Sequence, residues 1–184
     1  MKRLGYLFSL LVVLSLACST LSAPPASTAS PSAVPTPGQQ NGNAPTFPNS
    51  ALVDFYDPSR NPADDLAQAI PVAQAENKRI MLELGGDWCI WCKYMDEFYA
   101  SHSDILQYRI DHYVLIKVNV SEDNANEGFL SQYPAVDGYP HIFILENTGK
   151  FLHSQDTAEL EDGDKSYVPE VFMSFLEKWA LLSQ

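Results

Sequence analysis

The chain has 184 residues, a formal net charge of −12 and three cysteines. A protein this acidic lacks the basic surface with which proteins bind nucleic acid, so a nucleic-acid partner is excluded. Anionic lipid headgroups repel an acidic surface, so purely electrostatic attachment to a membrane is excluded as well.

Residues 1–17 have the pattern of a secretory signal peptide. Lys2 and Arg3 form a charged start, and residues 4–16 are mostly apolar. This apolar run is too short to favour a membrane-spanning helix. We therefore predict export from the cytoplasm into a compartment where disulfide bonds persist.

The end of the signal peptide reads Leu14-Ser15-Leu16-Ala17-Cys18. This stretch resembles the lipobox of bacterial lipoproteins, whose cysteine is lipidated and becomes the new N-terminus, although Ser15 stands where an aliphatic residue is commoner. We expect the acylated Cys18 to anchor the chain to a lipid bilayer of the bacterial cell envelope, facing the periplasm or the cell surface. The alternative is ordinary cleavage near Ala17 or Ala23.

Residues 18–50 carry the lipidated cysteine and are predicted to form a flexible linker. Seven of the 13 prolines lie between Pro24 and Pro48, among small and polar residues and without any charge. Such a segment cannot bury enough apolar surface to offset the entropy lost on ordering. The remaining residues, 51–184, have the size of one domain.

In chain order, this domain switches between buried runs typical of strands and amphipathic runs typical of helices. The predicted strands are residues 52–56, 80–84, 113–120, 141–145 and 151–153, and the predicted helices begin near residues 61, 90, 104, 126 and 168. An acidic loop is expected over residues 156–164. The last helix is predicted to span 168–182 and to bury Val171, Phe172, Phe175, Leu176 and Trp179. This order predicts a mixed α/β fold with a central sheet flanked by helices.

The most informative stretch is Trp88-Cys89-Ile90-Trp91-Cys92, directly after a predicted buried strand. Two cysteines three positions apart can close a small disulfide at the start of a helix. The first thiol then lies at the helix N-terminus, where unpaired N–H groups favour its thiolate. The second can attack a mixed disulfide formed by the first, so the pair is equipped for thiol–disulfide exchange.

Three further features accompany the cysteines. Glu83 stands six residues before Cys89, Lys117 lies in a predicted strand, and Tyr139-Pro140 precedes the strand 141–145. With the cysteine motif, these features make residues 51–182 resemble the thioredoxin-fold proteins. The resemblance implies a thioredoxin fold, a buried Glu83 beneath the cysteines, and a cis Tyr139–Pro140 bond that faces them.

The resemblance also implies a division of labour. Cys89 is expected to be the exposed nucleophile, and Cys92 the less exposed resolving thiol. Glu83 is expected to act as the base that exchanges a proton with Cys92, while Lys117 pairs with Glu83.

The remaining predicted site residues shape the surface around the reactive sulfur. Trp88 and Trp91 are expected to form an apolar rim. Pro140 is expected to shape a groove in which the backbone of Tyr139 pairs with an extended substrate. His141 either tunes Cys89 or faces outward from its strand.

Together with the predicted lipidation of Cys18, the resemblance implies a membrane-anchored extracytoplasmic thiol–disulfide oxidoreductase that acts on thiols and disulfides of exported proteins. The oxidases and isomerases of this fold carry a histidine before the second cysteine, and its absence before Cys92 favours reduction over oxidation or isomerisation. The sequence has no dinucleotide-binding or P-loop motif, so the disulfide itself is the expected redox group, without a cofactor or metal. Reduction then requires an unidentified electron donor at the membrane.

Two other classes of function stay open. The domain could be a protein-binding module in which the disulfide is only structural, although a loop this small adds little stability. The dithiol could also carry a soft metal ion such as Cu(I). For single residues, the alternatives are an ordinary acid at a strand edge for Glu83, a surface lysine for Lys117 and a trans turn proline for Pro140.

Overall fold

The computed structural model describes residues 51–181, apart from the side chain of Ala51. The predicted signal peptide, the predicted lipidation site Cys18 and the predicted linker lie outside the described residues.

The sheet has five strands in the order β1-β3-β2-β4-β5. The strands are β1 (Ala51–Val53), β2 (Arg79–Gly85), β3 (Tyr113–Asn119), β4 (His141–Leu145) and β5 (Phe151–Asp156). β1 and β2 run parallel to β3, whereas β4 is antiparallel to both β2 and β5. The predicted mixed α/β fold is confirmed, and β2 is the central strand.

Helices connect and cover these strands. They are α1 (Pro62–Glu76), α2 (Ile90–Ser101), α3 (Ser103–His112), α4 (Glu127–Leu130) and α5 (Pro169–Trp179). The predicted start of α1 is confirmed, since Asn61 caps it by accepting the N–H of Ala63 at 3.0 Å. α2 stops at Ser101 and α3 begins at Ser103, so the helix after the cysteines breaks where the sequence predicts it.

Successive side chains along β2 point to opposite faces of the sheet, so β2 contributes to a core on each face. Met81 packs with the buried side chains of α2, α3 and α5 on one face. Its neighbours Ile80 and Leu82 pack with α1 on the other face. Glu83 lies two positions after Met81 on β2, so its side chain points to the same face of the sheet, into the layer beneath α2.

The structure corrects two expectations near the C-terminus. The segment expected to be an acidic loop is partly regular: β5 continues to Asp156, and Asp156 caps a short 3-10 helix at Thr157–Leu160, whose Leu160 is buried in the core. Val171, which was expected to be buried, is exposed, because it lies beside the apolar face of α5 to which Phe172 belongs. Among residues 51–181, no helix is long and apolar enough to cross a membrane.

Candidate active site

The cysteine pair lies at the junction between the end of β2 and the start of α2. Cys89 and Cys92 form a disulfide, and Cys89 is the N-cap residue of α2. The sulfur of Cys89 accepts the backbone N–H of Cys92 at 3.0 Å. That N–H would stabilise a thiolate at Cys89 after the disulfide opens.

Both cysteines are nearly inaccessible in the disulfide form. Cys89 is 3% exposed and Cys92 is 1% exposed, so the expectation of an exposed Cys89 is wrong. The cause is the packing of three aromatic side chains against the pair, from Tyr56, Trp91 and Tyr139. The accessible apolar surface instead belongs to the residues that flank Cys89, because Trp88 is 59% exposed and Ile90 is 52% exposed.

Glu83 is fully buried in the middle of the central strand. Glu83 and Lys117 are register partners on the parallel strands β2 and β3, so their side chains emerge on the same face. Lys117 Nζ lies 3.4 Å from Glu83 Oε1, and Lys117 is itself buried. The predicted pair therefore forms, and neither the strand-edge reading of Glu83 nor the surface reading of Lys117 holds.

Lys117 has a second acidic partner that sequence reasoning missed. Its ammonium donates to Asp96 on α2, whose side chain is 56% exposed. Burial alone would lower the pKa of Lys117, but Glu83 and Asp96 outweigh burial and raise it above its usual value. The lysine therefore stays charged between a buried and a solvent-exposed carboxylate. Asp96 stands four residues after Cys92, so both side chains lie on the same face of α2. This spacing could have placed Asp96 at the site from the sequence alone.

Tyr56 is the other site residue that the sequence did not reveal. It follows β1 and packs in one buried cluster with the two cysteines. Its hydroxyl donates to Glu83 Oε1 at 2.8 Å, across 27 positions of sequence. Burial and the negative charge of Glu83 raise the pKa of Tyr56 well above its usual value. The hydroxyl therefore stays protonated and can act as a hydrogen-bond donor at the base of the site.

The predicted rim is only partly realised. Trp88 is fixed by a hydrogen bond from Nε1 to the carbonyl of Val120 at 2.7 Å, and its ring meets Tyr139 edge-on at 5.7 Å. Trp91 instead turns toward α5 and packs edge-on against Tyr167 at 5.9 Å. Trp88 and Tyr139 therefore form the accessible surface beside Cys89, and Trp91 supports it from the side.

The segment before β4 completes this surface. The Tyr139–Pro140 bond is cis, which is the geometry the resemblance implied. Pro140 is buried, and its carbonyl accepts the hydroxyl of Thr157. Tyr139, on the other side of the cis bond, packs against the cysteine cluster.

His141 lies at the start of β4 and does not face outward. It is buried, and its Nε2 is 2.7 Å from Ser154 Oγ on β5. Its Nδ1 has no hydrogen-bond partner among the described residues. Burial lowers the pKa of His141 below its usual value.

The sheet order, the disulfide at the start of α2 and the buried carboxylate beneath it define a thioredoxin-fold domain. Residues 61–147 match a family model described as thioredoxin-like. The predicted thioredoxin fold is therefore confirmed.

Two relatives and one solved structure extend this result. The chain is 33% identical over 87 residues to the thiol:disulfide interchange protein DsbD of Salmonella paratyphi A, which is 47% of this chain and 15% of that protein. It is 35% identical over 86 residues to the DsbD of Citrobacter koseri, with the same coverage of 47% and 15%. The chain thus spans about a seventh of the length of these curated relatives.

The solved structure is that of a disulphide isomerase from Xylella fastidiosa Temecula1. It superposes with a TM-score of 0.57 at 20% identity, over 68% of this chain and 96% of that chain. At this identity the likeness concerns the fold alone.

Proposed function

We propose that the protein is a membrane-anchored extracytoplasmic thiol–disulfide oxidoreductase that reduces disulfides of exported proteins. The observation that carries the proposal is the Cys89–Cys92 disulfide at the start of α2, with the buried Glu83 beneath it. The similarity to proteins named thiol:disulfide interchange proteins supports the same class of reaction.

In the proposed cycle, the reduced pair transfers two electrons to a client disulfide. The Cys89 thiolate attacks one client sulfur and forms a mixed disulfide, and the other client sulfur leaves as a thiolate. Cys92 then attacks the Cys89 sulfur, releases the second client thiolate and restores the Cys89–Cys92 disulfide. An electron donor at the membrane, whose identity is open, reduces this disulfide again.

Glu83 accepts the proton that Cys92 must lose before it can attack. Its Oε2 is buried and has no hydrogen-bond partner among the described residues, so the carboxylate keeps an acceptor site that no other group occupies. Lys117 lies 3.4 Å from Oε1 and counterbalances the negative charge of this carboxylate. The pair can thus hold a buried base without leaving a lone charge in the core.

The client binds over Trp88 and Tyr139, with Pro140 shaping the groove. Trp88 is exposed but held in place by its bond to Val120, so a client can pack on it at little entropic cost. We propose the reductive direction because no histidine stands before Cys92 to stabilise a reduced thiolate. Attachment to the membrane rests on the lipidation of Cys18.

Trapping of the mixed disulfide tests the exchange mechanism. Cys92→Ser cannot resolve the intermediate, so it should accumulate disulfide-linked clients that are released by dithiothreitol and are separated on non-reducing gels. Cys89→Ser is the matched control, and it should trap none. The proposal fails if Cys92→Ser traps no client while Cys89 still reacts with an alkylating reagent.

A second test addresses the anchor. Cys18→Ala should abolish incorporation of labelled fatty acid and release the protein from the membrane fraction, while the redox activity of the domain is retained. Membrane association that persists without Cys18 would contradict lipid anchoring at this residue.

The near-complete burial of both cysteines favours one rival, a binding module with a structural disulfide. A double variant, Cys89→Ser with Cys92→Ser, separates the two readings. Client binding should survive in the rival and turnover should vanish in the proposed oxidoreductase.

A further inference from the structure

The hydroxyl of Tyr56 lies near both the sulfur of Cys92 and the carboxylate of Glu83. It donates to Glu83 Oε1 at 2.8 Å. A Cβ built on Gly85 would stand 2.4 Å from Cys92 Sγ and 2.8 Å from Tyr56 Oη. Because one point is that close to both atoms, the sulfur and the hydroxyl oxygen lie within about 5 Å of each other. Tyr56 therefore packs in one buried cluster with the reacting pair and bonds to the buried base.

Glu83 in turn lines a cleft of about 210 Å³ that reaches solvent. Asp54 and Asp96 also line this cleft, and both are exposed. The cleft shares no lining residue with the groove beside Trp88, which runs along residues 120–123. A proton on Glu83 therefore has a route to solvent through this cleft while a client covers the surface around Cys89.

We propose that Tyr56 is a proton-relay residue, whose hydroxyl carries the proton of Cys92 to Glu83. This inference rests on the proposed exchange function and deepens it. A relay is needed because the site is dry: Tyr56, Cys92 and Glu83 are all buried, so bulk water does not reach the thiol directly. A client that packs on Trp88 and Tyr139 would shield the thiol further.

The relay acts in the mixed disulfide, where the client sulfur is bonded to Cys89. The proton of the Cys92 thiol passes to Tyr56 Oη while the proton of Tyr56 passes to Glu83 Oε1. Cys92 Sγ then forms its bond to Cys89 Sγ, and the client sulfur leaves as a thiolate with the electron pair of the broken bond. In this step Cys92 is oxidised and the departing client sulfur is reduced, while Cys89 was oxidised in the first attack. The proton on Glu83 then leaves through the cleft.

Tyr56 suits this role because it relays without ionising. Its high pKa keeps the hydroxyl protonated before and after the step. The ring is held in place by Lys117, whose Nζ lies 4.9 Å from the ring centroid. The titratable and charged groups around the relay are Glu83, Asp96, Tyr99, Arg109, Lys117 and Tyr167, together with Asp54 at the mouth of the cleft.

The test separates the two chemical steps with the reduced protein and 5,5′-dithiobis(2-nitrobenzoate). Attack by Cys89 releases a first equivalent of the coloured thiolate, and attack by Cys92 releases a second. Tyr56→Phe removes only the hydroxyl, so we expect the first phase within about twofold of wild type and the second slowed by at least about tenfold near pH 7. The deficit should shrink as the pH rises, because hydroxide then deprotonates Cys92 directly.

Tyr113→Phe is the matched control, since it removes another buried tyrosine hydroxyl, which donates to the carbonyl of Leu176 outside the site. It should leave both phases unchanged. Glu83→Gln is the second variant, and it should slow the same phase as Tyr56→Phe. Because the two residues act in series, the double variant should be no slower than the slower single variant.

The relay is overturned if Tyr56→Phe leaves the second phase and its pH profile unchanged, or slows it equally at every pH. A wild-type protein that releases neither equivalent would overturn the proposed exchange function itself. The two failures are therefore distinguishable in one experiment.

Discussion

Glu83 and Lys117 stand opposite each other in the parallel register of β2 and β3, and their charged groups approach to 3.4 Å in a buried layer. Tyr56 bonds to the same carboxylate oxygen, and Asp96 bonds to the same ammonium. The result is a chain of polar groups that runs from the disulfide to the surface of α2. Its members depend on one another, because a single deletion leaves a charge without compensation in the core.

We therefore predict that Lys117→Met lowers the free energy of unfolding by about 3–5 kcal/mol, since it strands the Glu83 charge. The double variant with Glu83→Gln should lose less than the sum of the two single variants. Denaturant titrations with the disulfide intact measure these values.

Lys150→Met provides the control for this cycle. Lys150 is 73% exposed and lies 3.7 Å from Glu146, so removing this surface pair should cost at most about 1 kcal/mol. Equal costs for Lys117→Met and Lys150→Met would contradict a buried, energetically coupled pair.

Gly85 is required because its neighbours leave no room for a side chain, and not because of its backbone conformation. A Cβ at this position would overlap the sulfur of Cys92 and the hydroxyl of Tyr56, at 2.4 and 2.8 Å. Gly85→Ala should therefore destabilise the domain by about 1–3 kcal/mol and slow the exchange reaction. Gly128→Ala is the control, because a Cβ there meets nothing within 4 Å. A Gly85→Ala protein with wild-type stability and exchange rates would contradict this close packing around Cys92 and Tyr56.

Trp88 is predicted to act on clients and not on the cysteines. Trp88→Ala should lower the rate with a disulfide-containing peptide by about tenfold, because an exposed and fixed aromatic contact is lost. The rate with a small aromatic disulfide should change by less than about twofold. Val171→Ala, which alters an exposed apolar residue on α5, should affect neither rate. Equal losses with both substrates would contradict a client-binding role.

The central part of the site was predictable from sequence because its signals are local. The run 80–84 is apolar, Gly85 and Gly86 end it, and the cysteines open the next helix. Glu83 and Lys117 followed from their distances to these landmarks through the resemblance to the thioredoxin fold. Each of these residues was assigned from its own strand or helix.

Tyr56 was missed because its role depends on contact across 27 positions. It lies in irregular chain after β1, where no period indicates which side chains turn inward. The exposure of Cys89 was misjudged for a similar reason. Packing by Tyr139, from a segment 50 positions away, decides it.

His141 provides a prediction for the dependence of stability on pH. Burial lowers the pKa of His141, which His153 reinforces and Asp156 and Asp137 oppose. The unfolded chain then binds the proton more readily than the folded one. Its contribution to stability is present above the usual pKa of about 6.5 and is lost as the pH falls toward the folded-state value.

Accordingly, the free energy of unfolding should fall more between pH 7.5 and 5 in wild type than in His141→Gln. The ring resonances of His141, followed by NMR, should titrate with a midpoint below about 6.5. A midpoint at or above that value would contradict the described burial.

The reduction potential of the Cys89–Cys92 pair tests the central claim most directly. The protein would be equilibrated with glutathione or dithiothreitol buffers, and its thiols counted after acid quench and alkylation. We predict a value near or below that of thioredoxin, about −270 mV, as expected for a reductase that draws on an external donor. A value near −120 mV would contradict the reductive direction, and a pair that does not equilibrate at all would contradict thiol–disulfide exchange.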